Sequence, residues 1–564
     1  MRVFGKVGLA TVVAASLALT ACGGSDGNSG GGNNNNKSSD KKAQAASTSN
    51  DINPMDYDKV PAGGTLRWPI DSYPANFNLN QIDGNEFNTS RLITATLPIV
   101  WHFDAGSKPT LNTDVVDKAE QTSTSPQTLE YHINPKAVWS DGTPITYKDF
   151  AGLWTAHNGS NKAYKVASTN GYEQIQSVEK GASDQDVKVV FKSPYPDWKA
   201  LFSPLTPASL NASPAAYNTS WVNGPNVSGG PFKISTLDKT AKTITVVHND
   251  KWWGKAPKLD KIQFIVLDQA AQAKALQSDQ IDFVEIGSSV ATYATVKATP
   301  GVTIHKAGGP NWRHIDIGSS GPLADVKVRQ AVALSIDRAG DAKTMLSPLD
   351  WPATVLDSHI WMNNQSQYKS TCGDFCKQDI AKAGSLLESA GYKKGADGIY
   401  AKNGKPLNLS FVIPDGVKTS ADESALQQKA LKNAGIKVTI KSVPSDPFFS
   451  DYVLVGKFDL TIFSWIGTPF PVSSAQSIYT STGGQNYAKI GTPEIDALYK
   501  QAVSELDPDK ATQLTYQIDQ KVWEVGHSVP LYQRPDLVAT KTNLVNFGSF
   551  GFADPVYESI GFKK

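Results

Sequence analysis

Cysteine is nearly missing from this chain: three of 564 residues, Cys22, Cys372 and Cys376, carry a thiol. A disulfide-dense scaffold is thereby excluded. Histidine is sparse as well, eight in all, with no paired histidines and no His/Cys cluster, so direct nickel coordination is not expected. Neither sign of charge dominates. Lys and Arg number 54 against 53 Asp and Glu, a net charge of +1, and no segment gathers basic residues on one face, so the electrostatic footprint of a nucleic-acid binder is missing. Catalytic motifs are lacking too: there is no G-x-S-x-G, H-E-x-x-H or G-x-x-x-x-G-K-[ST], and Gly318-Ser319-Ser320-Gly321 has the wrong spacing for a nucleophile elbow. No enzymatic activity, cofactor or metal is expected, and the partners left are small molecules or proteins.

The N-terminus carries Arg2 and Lys6, then an apolar stretch from Val7 to Leu19 that is too short for the ~20 residues of a membrane span, then small residues. This is the pattern of an export signal over residues 1–22. Leu19-Thr20-Ala21-Cys22 resembles the lipobox of bacterial lipoproteins, which implies that Cys22 is acylated and anchors the chain at the outer face of the cell membrane. Residues 23–62 are rich in Gly, Asn, Ser and Lys with little to bury, and read as a flexible tether. In such an oxidising setting Cys372 and Cys376 are expected to form a local disulfide. A metal site there would need two further ligands, and no histidine lies in the neighbouring turns.

A hydrophobic content of 40% over 564 residues suffices for two or three lobes with sizeable cores. Leu66, Trp68 and Ile70 alternate as a strand, followed by an irregular loop from Asp71 to Asn80; Leu129, Tyr131 and Ile133 alternate as another. Thr146 with Asp149 three residues on reads as a capping box. Strands are expected at 243–248 and 261–267, the second apolar on both faces and so central in a covered sheet; a helix from Asp268 to Ser278 and a strand at 281–284 complete a β-α-β unit. Further on, strands through Leu407–Ile413, Ile436–Ile440 and Phe458–Ile462 alternate with helices at 421–434 and 447–455, a β-α-β-α-β order that demands parallel strands. Helices at 494–506 and 511–525 and a strand at 529–532 close the chain.

Gly230-Pro231-Phe232, Asn249 to Trp253 and Leu276 to Asp282 stand in the order of the signature region of the family 5 solute-binding proteins of ABC importers, which this chain resembles from Gly63 to about Phe547. Trp139 to Pro144 and Arg329, Asp337 and Arg338 match two further family motifs, the last read here as a structural ion-pair set. The resemblance implies an α/β fold of the periplasmic-binding-protein type II (cluster C): two lobes with a hinge and an extra α/β domain. The boundaries read from the sequence are 63–84, 224–310 and 533–564 for the core of lobe I, 85–223 for the extra domain, and 311–532 for lobe II.

In open parallel sheets ligands sit beyond the carboxyl ends of the strands, which singles out Trp465, Ile466, Gly467 and Thr468. Peptide-binding relatives carry G-W-x-x-D here, the aspartate holding the peptide's amino terminus; this chain has Ser464-Trp465-Ile466-Gly467-Thr468. A hydroxyl cannot neutralise an ammonium, so another carboxylate such as Asp71, Asp83 or Glu86 takes that role, or the ligand has no free amine. Tyr73, Asn76, Phe77, Asn311, Trp312, Arg313, Asn486 and Tyr487 are further ligand-binding candidates by position. Arg313 either grips a carboxylate bidentately or bridges to a residue such as Asp316.

The function implied is that of a monomeric, lipid-anchored receptor that closes two lobes over a peptide and delivers it to an ABC permease. The alternatives keep the fold with an oligosaccharide, haem or metal chelate as ligand, Trp101, Trp312 and Trp465 being suited to sugar stacking. A surface hydrolase or a sensory lipoprotein stands further off.

Overall fold

The computed structural model describes residues 49–445 and 447–564. The export signal, Cys22 and the first part of the tether lie outside the described residues. The rest of the tether, 51–62, is packed instead of free: Asp51 pairs with Ser549, its carboxylate lies 2.8 Å from His305 Nδ1, and Asn53 Nδ2 donates to Leu544 O at 2.6 Å. Polar side chains bonded to a distant backbone hold this segment, and composition alone does not register them.

Lobe I opens with β1 (Thr65–Ile70), whose Leu66, Trp68 and Ile70 are buried as the alternation requires. The loop after it leads into α1 (Phe87–Thr96). An inserted antiparallel sheet follows, built of β2 (Val116–Thr124), β3 (Gln127–Ile133), β4 (Ile175–Lys180) and β5 (Asp186–Phe191) in the order β2-β3-β5-β4. The helix α2 (Tyr147–His157) starts at a complete capping box, the Asp149 carboxylate accepting from Thr146 N at 2.8 Å. Lobe I resumes with β6 (Phe232–Asp238), β7 (Thr243–His248) and β8 (Lys261–Val266), giving a four-stranded sheet β1-β8-β7-β6. β8 is central there, parallel to β1 and antiparallel to β7. One contiguous core joins this sheet to the inserted domain.

The helix α3 (Gln269–Gln277) does begin after Asp268, although that side chain makes no capping bond. The next strand, β9 (Phe283–Glu285), leaves the lobe I sheet and pairs with the strand near the C-terminus. The expected β-α-β unit is therefore split between two sheets. β10 (Val302–Ile317) crosses between the lobes. Lobe II begins with α4 (Val326–Ser335) and α5 (Arg338–Leu346), then α6 (Ile380–Ser389). Cys372 and Cys376 form a disulfide between α5 and α6. Arg329, Asp337 and Arg338 are not one ion-pair set. Arg329 donates to the carbonyls of Leu323 and Val525, Asp337 caps α5 at Gly340 N, and Arg338 alone meets a carboxylate, Asp357, at 2.9 Å. Helix and loop ends in lobe II leave carbonyls without partners, and arginine donors fill that need.

The β-α-β-α-β pattern is present as β11 (Asn408–Pro414), α7 (Lys418–Asn433), β12 (Lys437–Val443), a π-helical turn at Phe448–Val453 and β13 (Leu460–Ile466), with β11 parallel to both other strands. The second crossover is thus shorter than the expected 447–455 helix and of a different kind. α8 (Pro471–Tyr479), α9 (Pro493–Ala502), α10 (Pro508–Glu524) and β14 (Ser528–Lys541) complete the lobe and return to lobe I. A six-stranded sheet, β9-β14-β10-β13-β11-β12, carries the hinge: β10 and β14 pair from Val302↔Lys541 to Asp316↔Ser528, with register breaks after Gly308 and Arg313. The crossings read at 310/311 and 532/533 fall inside these two unbroken strands.

Candidate ligand-binding cleft

The lobes meet along a seam. The rings of Phe103 in lobe I and Phe470 in lobe II are 5.5 Å apart; Asn364 Nδ2 donates to Ala105 O at 2.8 Å and Gln365 Nε2 to Ser107 Oγ at 2.8 Å. Behind the seam lies the carboxyl end of β13, which after Thr461 pairs with β10 on one side and with no strand on the other among the described residues. Ile466 pairs with Asn311, Trp465 with Trp312 and Ser464 with Arg313. Ile466 is 49% exposed, unusual for a large apolar side chain at the end of a core strand. Gly467 N donates to Pro310 O at 2.7 Å, and a Cβ on Gly467 would stand 2.7 Å from that oxygen, so no larger residue fits.

Three neighbouring buried polar atoms lack partners here: Asn311 Oδ1, Ser464 Oγ and Trp465 Nε1. Each costs about 1–3 kcal/mol while unpaired, which is why such groups are rare in a finished interior. Trp465 is held flat by stacking on Tyr487 at 5.6 Å and on His314 at 5.7 Å. Thr468 is not a free hydroxyl: its Oγ1 lies 3.2 Å from Ser474 Oγ and accepts from Phe470 N at 3.3 Å. Asn311, Trp465, Ile466, Gly467, Thr468 and Tyr487 are therefore brought together.

The other candidates are placed differently. Asn76 and Phe77 are buried and build the loop, Asn76 Nδ2 donating to Asn218 O and its Oδ1 accepting from Asn78 N. Tyr73 is half-buried with an unpartnered hydroxyl, edge-on to Phe77 at 6.1 Å. Asn486 is spent on Thr480 O and Ile490 O. Trp312 is buried among Leu356, Met362 and Phe552. Trp101 is buried against Trp198, so of the three tryptophans considered for sugar stacking only Trp465 stands at the cleft. Arg313 pairs neither with Asp316 nor with the cleft. Its Nε donates to Glu423 Oε1 at 3.1 Å and its Nη2 to Glu423 Oε2 and Ser420, all buried. Asp316 lies instead 3.4 Å from His314.

Of the proposed amine anchors, Asp83 accepts from Gln81 Nε2 and Glu86 occupies the N-cap of α1; burial raises the Asp71 carboxyl pKa, opposed by a bond from Gln272. Apart from Arg313, the charged residues of the hinge are not singled out in the sequence. Burial raises the pKa of Glu285 at the end of β9, opposed by Arg91, whose Nη2 is 3.9 Å away; burial also raises Asp536. Arg534 Nη2 donates to Ser288 Oγ at 2.7 Å. Arg534 and Asp536 do carry a signal: they are charged residues two apart on one face of β14, whose other positions as far as Thr540 are buried.

The family model for bacterial extracellular solute-binding proteins, family 5, matches residues 110–487, more than half of the chain. The oligopeptide-binding protein OppA of Mycobacterium tuberculosis (strain H37Rv) is 38% identical over 526 residues, covering 92% of this chain and 88% of that one. The probable monoacyl phosphatidylinositol tetramannoside-binding protein LpqW of the same organism is 28% identical over 391 residues, 64% and 60% of the two chains. Among solved structures, the periplasmic EDTA-binding protein EppA superposes with a TM-score of 0.82 at 27% identity, over 92% of this chain and 99% of that one. The oligopeptide-binding protein AppA of Bacillus subtilis, in complex with a nonapeptide, gives 0.70 at 22% identity, over 90% and 100%. The type II fold with its two lobes and hinge follows, and proteins of this kind bind solutes rather than transform them. The chain belongs to the bacterial extracellular solute-binding proteins of family 5, the substrate-binding components of ABC transporters.

Proposed function

We propose that this protein is a membrane-anchored peptide receptor, acylated at Cys22, that closes its lobes over a peptide and hands it as a monomer to an ABC permease. The observation that carries the reading is the free flank of β13: it pairs with β11 only at Leu460 and Thr461, while Ile462 to Ile466 continue with β10 on the other side alone. An extended peptide is a row of alternating donors and acceptors, and strand addition is the arrangement that satisfies such an edge. The OppA relative supports this ligand class. Micromolar affinity corresponds to about 8 kcal/mol, enough to bias a hinge between open and closed states.

The test is thermal shift on protein stripped of solute by unfolding and refolding, against pools of di- to hexapeptides. A peptide-dependent shift that Trp465→Ala removes is the expected result. A shift from oligosaccharide or chelate pools alone would refute peptide capture. That second reading, a chelated or polycarboxylate solute in the same cleft, is favoured by one observation, the likeness to EppA together with the engaged Thr468 where an amine-holding aspartate would stand.

A further inference from the structure

We propose that Arg534 is the anion-holding residue of the cleft, so that the captured solute presents a carboxylate to the hinge strand β14. This rests on the reading that the cleft takes up a solute, whether peptide or not.

The argument begins with a contrast among the described arginines. Arg67 meets Asp279 and Asp282, Arg91 approaches Glu285, Arg313 meets Glu423 and Arg338 meets Asp357, while Arg329 is spent on backbone carbonyls. Arg534 has one bond, to Ser288 Oγ, and no carboxylate at ion-pair distance among the described residues. Asp536, two residues on, is turned to Gly551 N at 3.1 Å. The remaining N–H groups of Arg534 are not sealed in protein, since none of its atoms is among the buried unpartnered ones. They have no partner among the described residues, and the residue is partly exposed.

The surroundings do not neutralise it. Burial, with Arg313 as the next contribution, holds the guanidinium pKa below its usual value, yet a guanidinium stays charged at any working pH. Glu423 is taken by Arg313 and Tyr532 OH, and Asp341 accepts from Gln427 Nε2 at 2.8 Å. A desolvated cation without a counterion is costly. A planar fork with several free donors is the shape that a carboxylate fits bidentately. The position adds a consequence: Arg534 lies on a strand shared by both lobes and is tied to lobe I through Ser288, so an anion bound there is sensed at the hinge.

The test uses refolded full-length protein and isothermal titration with alanine pentapeptide, its C-terminal amide, the amide of Ala-Ala-Glu-Ala-Ala, citrate and EDTA. The expected result is at least tenfold tighter binding of some carboxylate-bearing probe than of the alanine pentapeptide amide, with the discrimination lost in Arg534→Gln and partly kept in Arg534→Lys. Preference for the free acid assigns the carboxylate to the peptide terminus; preference for the glutamate amide assigns it to a side chain. If no peptide binds but citrate or EDTA does, and Arg534→Gln loses it, the peptide reading falls and the Arg534 assignment stands. Equal binding of acid and amide pentapeptides with no response to the other carboxylates, discrimination that survives in Arg534→Gln, or no binding of any carboxylate probe overturns the assignment. If both variants fail to fold, the wild-type comparison across all probes remains, and no preference for any carboxylate-bearing probe over the alanine pentapeptide amide overturns the assignment.

Discussion

Glu423 shows how much of a site is settled by partners remote in sequence. It is fully buried and accepts from Arg313 and, at 2.6 Å, from Tyr532 OH. Glu423→Ala leaves a buried guanidinium without a counterion, and we expect a loss of about 3–5 kcal/mol in urea unfolding, with an unchanged slope. A loss under 1 kcal/mol would mean that water replaces the carboxylate. Arg313 drew attention as a ligand residue because it stands where the lobes cross. What removes it from the cleft is a partner 110 positions away, and no local pattern marks that pairing. The strand end at Trp465 and Ile466 is legible for the opposite reason: a strand followed by Gly, Thr and two prolines must end there.

At the scale of elements, the legible parts are those whose information is local. β11, α7, β12 and β13 follow from strict alternation and from glycines at 435 and 456, both with positive φ where the chain turns. The hinge was not legible as one unit. β10 and β14 are buried on both faces for much of their length, so alternation is lost, and their pairing spans more than two hundred residues of sequence. Gly309 is the sensitive point of this pair, since a Cβ there would lie 2.8 Å from Arg534 O and 3.1 Å from Asp536 N. Gly309→Ala must push the two strands apart, and we expect a cost of about 1–3 kcal/mol by thermal unfolding. Weakened solute binding should accompany it, because Arg534 and Asp536 move with their backbone. An unchanged melting temperature would show that the hinge strands yield without strain.

Over the whole molecule, buried histidines make the fold sensitive to acid. Burial lowers His157 and His527 to about 4, against about 6.5 for an exposed imidazole. The unfolded chain then binds more protons between these values, so the stability they supply is complete above about pH 6.5 and is lost as pH falls toward 4. Asp554 and Glu558, raised by burial to about 6 and about 7, act in the opposite sense. The informative quantity is therefore a difference: His527→Asn should shrink the drop in unfolding free energy between pH 7 and pH 4.5 by roughly 2 kcal/mol. An identical drop in both proteins would place the acid sensitivity elsewhere.

The central claim, that two lobes joined by β10 and β14 enclose a peptide at the end of β13, is tested most directly by native mass spectrometry of the protein as isolated, followed by denaturation and sequencing of what is released. The account predicts a bound mass that resolves into short peptides, absent from the Trp465→Ala protein. A bound sugar, lipid or metal chelate in place of peptide would contradict it.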